Sequence, residues 1–250
     1  MPLSLRNYHT QTARIRAAVS GQVIGYWSAL GNYRDPDVDR FVRVVVPKIQ
    51  AGQIATARAT ASFLGGKVLP RDQIIASRKV SQAVEYRRPA VSLYTALSNG
   101  LAFTDAVTSG TQRLESLIST DMQLALVVQS QASLRSVGAT RFRRVLTGSE
   151  NCPLCQIAST NIYSTNDLLP IHDKCDCTVE PIFDDYTPPQ LSASDLALSS
   201  IRETEVQDGA SPESLIAVRD HGEIGPVLAW ASDQFTGPDE IHIVTDGVHK

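Results

Sequence analysis

The sequence predicts an α+β chain in three parts: a mainly helical N-terminal half, a small α+β module made of a β-hairpin and a short helix, and an acidic C-terminal section with short strands. Three observations carry this reading. Amphipathic periodicity punctuated by helix-stop glycines runs from residue 5 to about residue 137. All four cysteines fall within residues 147–182. Lys and Arg outnumber Asp and Glu nineteen to nine over residues 1–150, whereas the ratio is four to seventeen over residues 151–250. The division that follows is 1–137, 138–183 and 184–250.

Residues 5–30 are long and amphipathic and stop at Gly31-Asn32. Asp35 then stands as an N-cap with Pro36 at the first helical position, ahead of the apolar series Val38, Phe41, Val42, Val45, Val46 and Ile49. Pro47 is expected to kink this second helix, which the alanine-rich run 55–64 carries on to Gly65-Gly66. Its small side chains allow another helix to approach closely. Arg88-Pro89 opens a shorter helix closed by Asn99-Gly100, and Thr104 is the expected cap of a long one ending at Gly138. Beyond it, RFRRVLTG reads as a strand with a turn at Thr147-Gly148, the segment after Cys155 as a short helix, and CTVEPIF as a second strand pairing with the first. Residues 183–200, with Pro188-Pro189, read as a linker. SLIAVRDHGEIGPVLAW then alternates as two short strands about residues 222–226, with Trp230 and Phe235 as apolar anchors. That pair of strands either adds to a partner's sheet edge or folds back on the cysteine region.

At 250 residues and 42% hydrophobic content the chain can bury one or two cores, and no apolar run approaches the roughly eighteen residues a membrane span needs. A soluble protein made in a reducing cytoplasm is expected, with no membrane partner. The opposed charges of the two halves suggest two kinds of neighbour, or attraction between the halves themselves. No helix clusters aromatic with basic residues as a base-stacking surface would, so the basic half is suited to loose phosphate contact at most.

Cys152 and Cys155 form a C-P-L-C pair, and His172, Cys175 and Cys177 form an H-D-K-C-D-C cluster. A C-x-x-C turn aims two thiolates at one point about 2.3 Å from each sulfur, and a second cluster closes the tetrahedron. The expected ion is structural Zn2+. Four thiolates are the favoured ligands, with His172 either replacing one of them or orienting a ligand from outside. Asp173 and Asp176 read as solvated turn residues. Disulfides are disfavoured by the closeness of Cys175 and Cys177 and by the expected compartment, and a thioredoxin-like redox pair by the second cluster. A catalytic zinc would need an open position and a nearby base, for which only Glu150 and Glu180 lie close in sequence. Arg141, Arg143 and Arg144 are the densest positive cluster; they either neutralise the thiolates, the preferred reading, or touch DNA. His221 with Glu223 reads as a surface turn rather than a catalytic pair.

These motifs resemble one family. R-R-V-L-T-G followed by C-P-L-C, then P-I-H-D-K-C-D-C-T-V-E-P, is similar to the MuF-like minor head proteins of tailed bacteriophages, in the form found in phages of actinobacteria. The usual His-Pro-x-Cys-Arg-Cys carries Asp173 in place of the proline and Asp176 in place of the arginine. H-G-E-I-G-P-V-L-A-W and D-Q-F-T-G-P-D, at residues 221–239, resemble the tail of the same proteins. The resemblance implies a structural minor capsid protein, present in several copies per virion inside the head near the portal vertex. It implies the portal protein as partner, with the major capsid protein as a second candidate, and a role in head assembly, DNA packaging or DNA delivery. Enzymatic alternatives are a capsid maturation protease and a metal-dependent nuclease; neither G-x-S-x-G nor H-E-x-x-H occurs. The reading is therefore not an enzyme.

The basic half makes a solution prediction. The full chain should bind duplex DNA of arbitrary sequence with an affinity that falls steeply as salt rises, and an affinity indifferent to salt would remove phosphate contact from the account.

Overall fold

The computed structural model describes residues 3–78, 80–146, 152–171, 175, 177–183, 215–222 and 224–233. Its fold is α+β, with a helical N-terminal half followed by two small antiparallel sheets. Helix α1 spans Leu5–Ser28, started by Ser4, whose Oγ accepts the Asn7 N–H at 3.3 Å. Helix α2 spans Asp35–Leu64 and stops at Gly65, whose φ of 77° is open to glycine without strain. Its N-cap is Arg34, one residue earlier than expected, which leaves Asp35 and Asp37 in the first turn where they complement the helix dipole.

Pro47 does not divide α2, which continues through it to Leu64. An interior proline costs about 3 kcal/mol. Val45 and Ile49 beside it are both 0% exposed, and full burial of such side chains gains roughly 1.5–3 kcal/mol each, so packing outweighs the lost hydrogen bond.

Two short helices that the sequence did not announce follow: α3 at Arg71–Ile75 and α4 at Gln82–Glu85. Helix α5 spans Arg88–Ser98 and α6 spans Phe103–Ser136. Thr104 lies inside α6 rather than capping it; the N-cap is Ala102, with no side-chain hydrogen bond. Helix α6 is the axis of the bundle and packs against α1, α2, α3 and α5. The main core gathers round Trp27, which meets Tyr33 at 4.6 Å and Phe41 edge-on at 5.5 Å between ring centres. Gly110 on α6 makes room for it, since a Cβ there would come within 2.6 Å of the indole and 2.8 Å of the Pro89 carbonyl oxygen. At Gly52 a Cβ would meet Val19 at 2.6 Å, so α1 and α2 touch nearly backbone to side chain.

A buried charge ties the bundle together. Asp121, on α6 and fully enclosed, accepts from Arg78 Nε at 2.5 Å, Tyr86 Oη at 2.7 Å and Gln82 Nε2 at 3.0 Å. Gln53 of α2 joins through Gln82, whose Nε2 donates to its Oε1 at 2.8 Å. Burial works against the Arg78 charge, but Asp121, together with Tyr86 and Glu85, more than offsets it and raises the guanidinium pKa. Tyr86 is held neutral, first by burial and then by the same carboxylate.

After Gly138, β1 (Arg141–Val145) lies between β2 (Ile162–Ser164) and β3 (Thr178–Ile182), antiparallel to both. Phe142, Leu168 and Val179 pack against Leu64 and Leu134, so this sheet shares a core with the ends of α2 and α6. The pairing of the first and second expected strands is as foreseen; β2 was not. Helix α7 is Pro153–Ser159, so the C-P-L-C pair starts the helix instead of preceding it, and Asn161 onward turns into β2. Strands β4 (Ile216–His221) and β5 (Gly225–Trp230) form the expected C-terminal hairpin. The expected linker from residue 184 on and the Phe235 anchor lie outside the described residues. Among the described residues, no helix is long and apolar enough to cross a membrane.

Removing the Asp121 carboxylate would leave the Arg78 guanidinium buried and unpaired. Asp121→Ala should lower unfolding free energy in urea by about 3–5 kcal/mol. A loss under about 1 kcal/mol would show that the charge is not holding the helices together.

Candidate metal centre

Helix α7 and strand β3 carry the cysteines to one place. The chain turns into α7 at Cys152, which acts as its N-cap: Sγ accepts the Cys155 N–H at 3.3 Å. Pro153 at the start of the helix needs no hydrogen-bond partner for its nitrogen. Cys155, one turn in, points its sulfur to the short segment before β3. There Cys175 Sγ lies 3.1 Å from Cys155 Sγ and 3.0 Å from Cys177 Sγ. All four cysteines are free thiols, so the disulfide alternative is not the arrangement adopted. Cys155, Cys175 and Cys177 have all three sulfurs within 4.8 Å of one another, while Cys152 stands beside this triad, in contact with Cys155.

The surroundings suit thiolate. Arg144, buried on β1, donates from one guanidinium nitrogen to Cys177 Sγ at 3.5 Å and from the other to the Leu169 carbonyl at 2.5 Å. Its guanidinium also lies 5.9 Å from the centre of the Tyr163 ring, whose hydroxyl is anchored on the Ala158 carbonyl at 2.9 Å. Hydrogen bonds from the Cys155 and Cys175 thiols, and then the Arg144 charge, hold the Cys177 pKa well below the usual thiol range. The same sharing of protons pushes Cys155 up, through Cys152 first and then Cys175 and Cys177. One thiolate caged by thiols and an arginine is a ready nucleus for a soft cation.

The donor set fits such an ion. Sulfur-rich sites select zinc, copper(I) or iron–sulfur chemistry over magnesium or calcium. A tetrahedron with 2.3 Å bonds has edges of about 3.8 Å, so the triad opens slightly to accept zinc. Cys155, Cys175 and Cys177 would hold the ion, with Cys152 beside them in contact with Cys155. When bound, the metal supplies folding free energy by cross-linking α7 to the segment entering β3.

Other expected residues are distributed as follows. His172, Asp173 and Asp176 lie outside the described residues, as do Glu150, Glu223 and the Thr147-Gly148 turn. Of the three arginines, Arg144 reaches the thiols, Arg143 pairs with Glu180 across the β1–β3 ladder at 2.6 Å, and Arg141 sits half-buried at the start of β1. Sequence reasoning missed two neighbours of the site. Tyr8 of α1, almost wholly enclosed, hydrogen-bonds Thr60 at 3.0 Å and stacks on Phe63, with Thr178 and Cys177 beside it. Leu228 of β5 packs on Leu154, Cys155 and Cys177 and donates its N–H to the Pro170 carbonyl at 2.9 Å. The C-terminal hairpin thus folds back over the cysteines, as one of the two expectations had it. His221, near its turn, is half-buried and has its pKa lowered by burial and by the charges of Arg113 and Arg78.

The centre is tested by elemental analysis of the full chain. Wild type should carry one zinc per chain, lost in Cys155→Ser, Cys175→Ser and Cys177→Ser, and chelation should lower the melting temperature by several degrees at least. An identical melting curve with and without chelator would rule out a structural metal.

With this geometry established, comparison with known proteins adds one match. The family model described as VG15 protein matches residues 3–196 of the 250, spanning the helical bundle and the cysteine centre and ending before the β4–β5 hairpin. No curated protein and no solved structure matches the chain. Covering well over half of the sequence, the match shows that the chain belongs to the VG15 protein family, a family of phage gene products.

Proposed function

We propose that the chain is a structural minor head protein of a tailed phage, of the MuF-like kind, sited inside the head near the portal vertex. The observation that carries this reading is the enclosure of the cysteine triad. Cys155 and Cys177 are only 3% and 8% exposed and share an apolar cluster with Leu154, Ile171 and Leu228, with Cys175 half-buried against them, so an ion held there is largely enclosed by the fold. A closed thiolate site stabilises; a catalytic one keeps a position for water. The phage family membership and the motifs R-R-V-L-T-G, C-P-L-C and H-x-x-C-x-C support the same assignment.

In this reading the metal is zinc and the helical bundle makes the contact with the portal protein or the inner face of the shell. Its excess of positive charge sits against packaged DNA without reading sequence. The bundle offers a surface for protein contact: Val84 on α4, Val91 and Tyr94 on α5, Leu101 in the connection that follows and Phe103 at the start of α6 are each more than 40% exposed.

Cross-linking mass spectrometry on purified virions tests the proposal. The chain should be found at a few copies per particle, with cross-links from the helical bundle to the portal protein. Its absence from particles, together with metal-dependent cleavage of plasmid DNA by the purified chain, would replace this reading with the nuclease.

A further inference from the structure

Positive charge is unevenly spread over the bundle. Residues 1–34 hold Arg6, Arg14, Arg16 and Arg34 with no Asp or Glu, and residues 40–71 hold Arg40, Arg43, Lys48, Arg58, Lys67 and Arg71, again with none. The acidic side chains of α1 and α2, namely Asp35, Asp37 and Asp39, are confined to the start of α2. Along the rest of α2 the basic residues form a track. At about 3.6 residues per turn, Arg40, Val44, Pro47, Ala51, Ala55 and Arg58 share one side of the helix, and all but the half-buried Ala55 are exposed. Arg43, exposed, and Lys48, whose Nζ lies 5.4 Å from the centre of the Tyr26 ring, flank that side. Arg40 and Arg58 stand about 27 Å apart along the axis, at about 1.5 Å per residue. Arg71 of α3 widens the track, held there by Gln50 Oε1 at 2.8 Å.

The texture of this face decides between partners. Protein partners bind through large apolar anchors seated in pockets. Among the described residues, Val44, at 36%, is the one large apolar side chain that α2 exposes, and the other exposed apolar groups of the bundle gather at α4, α5 and the start of α6. A phosphate backbone needs no anchor, only positive groups along a surface it can approach closely. The short side chains of Pro47, Ala51 and Ala55 between the charges leave such a surface open. The β4–β5 hairpin, from the acidic part of the chain, lies over the cysteines instead.

We propose that the outward face of α2 is the track on which the chain holds the backbone of duplex DNA, a placement that rests on the reading that the bundle's positive charge lies against packaged DNA. Arg40, Arg43, Lys48 and Arg58 contact phosphates. Arg40 gives up little to do so, because its 3.9 Å pairing with Asp37 is exposed. Contacts of this kind carry no sequence information, so the duplex slides along the track without register.

Fluorescence anisotropy of a labelled duplex, titrated with the full chain across a salt series, tests the placement. The triple variant Arg43→Gln, Lys48→Gln, Arg58→Gln should bind about tenfold or more weakly at low salt, and the slope of log affinity against log salt should shrink by about 2–3, as expected for three lost phosphate contacts. An equal change of charge elsewhere, Arg135→Gln, Arg141→Gln, Arg143→Gln, should leave affinity within about threefold of wild type and the slope within about 0.5. Equal losses in the two triples would overturn the placement, and so would an α2 triple that binds DNA as wild type does; DNA contact itself would survive either result. Loss, in that same α2 triple, of cross-links to an acidic protein while DNA binding stays intact would give the face to that protein. Should the α2 triple fail to fold, by circular dichroism, Arg58→Gln alone decides, with a slope change of about 0.9 expected and no change overturning the placement. A wild-type chain that binds no DNA would sink the DNA reading and this placement together.

Discussion

The helical half depends on a single carboxylate. Asp121 sits where α6 presents its apolar stripe, one turn after Leu117 and Ile118 and one before Ala125, and its charge is placed beyond the reach of water. Such burial is tolerable only when each oxygen is matched. The matching groups, Arg78, Gln82 and Tyr86, come from the irregular stretch between α3 and α5, which has few apolar residues of its own to fix it. One buried anion therefore does for this stretch what a hydrophobic face does for α2, fastening it to α6.

The cysteine centre plays the corresponding part in the second half. A three-stranded sheet of five, three and five residues with a seven-residue helix has little core, and part of what it has is borrowed from Leu64 and Leu134 of the bundle. The thiols complete that small core from the other side, where Leu228 and Trp230 of the C-terminal hairpin close over them. Arg144 belongs to both layers, reaching from β1 to Cys177 while its guanidinium faces the ring of Tyr163.

Much of this was legible in local sequence. Gly65, Gly100 and Gly138 announced chain reversals because each takes a positive φ, of 77°, 84° and 77°, that other residues resist. Cysteine spacing announced the centre, and the arginine-rich strand announced a counter-charge, which Arg144 supplies. What stayed hidden depended on partners far away in the chain. The sole sign of the Asp121 network was a charge on an apolar stripe, which names no partner. Tyr8 gave no sign of touching residues some 170 positions later. Helices α3 and α4 are too short to show a period.

That long separation gives α1 a particular place in the life of the chain. Synthesis runs from the N-terminus, so α1 leaves the ribosome early and can pair with α2 and α6 as they emerge. Its first turns, around Tyr8, nevertheless face a surface formed by Thr178 and the cysteines, which are made much later. The beginning of the polypeptide is thus finished by its later part. A chain arrested before residue 175 would display an unsheltered patch at its own start, a mark by which an incomplete molecule differs from a finished one before it reaches any assembly.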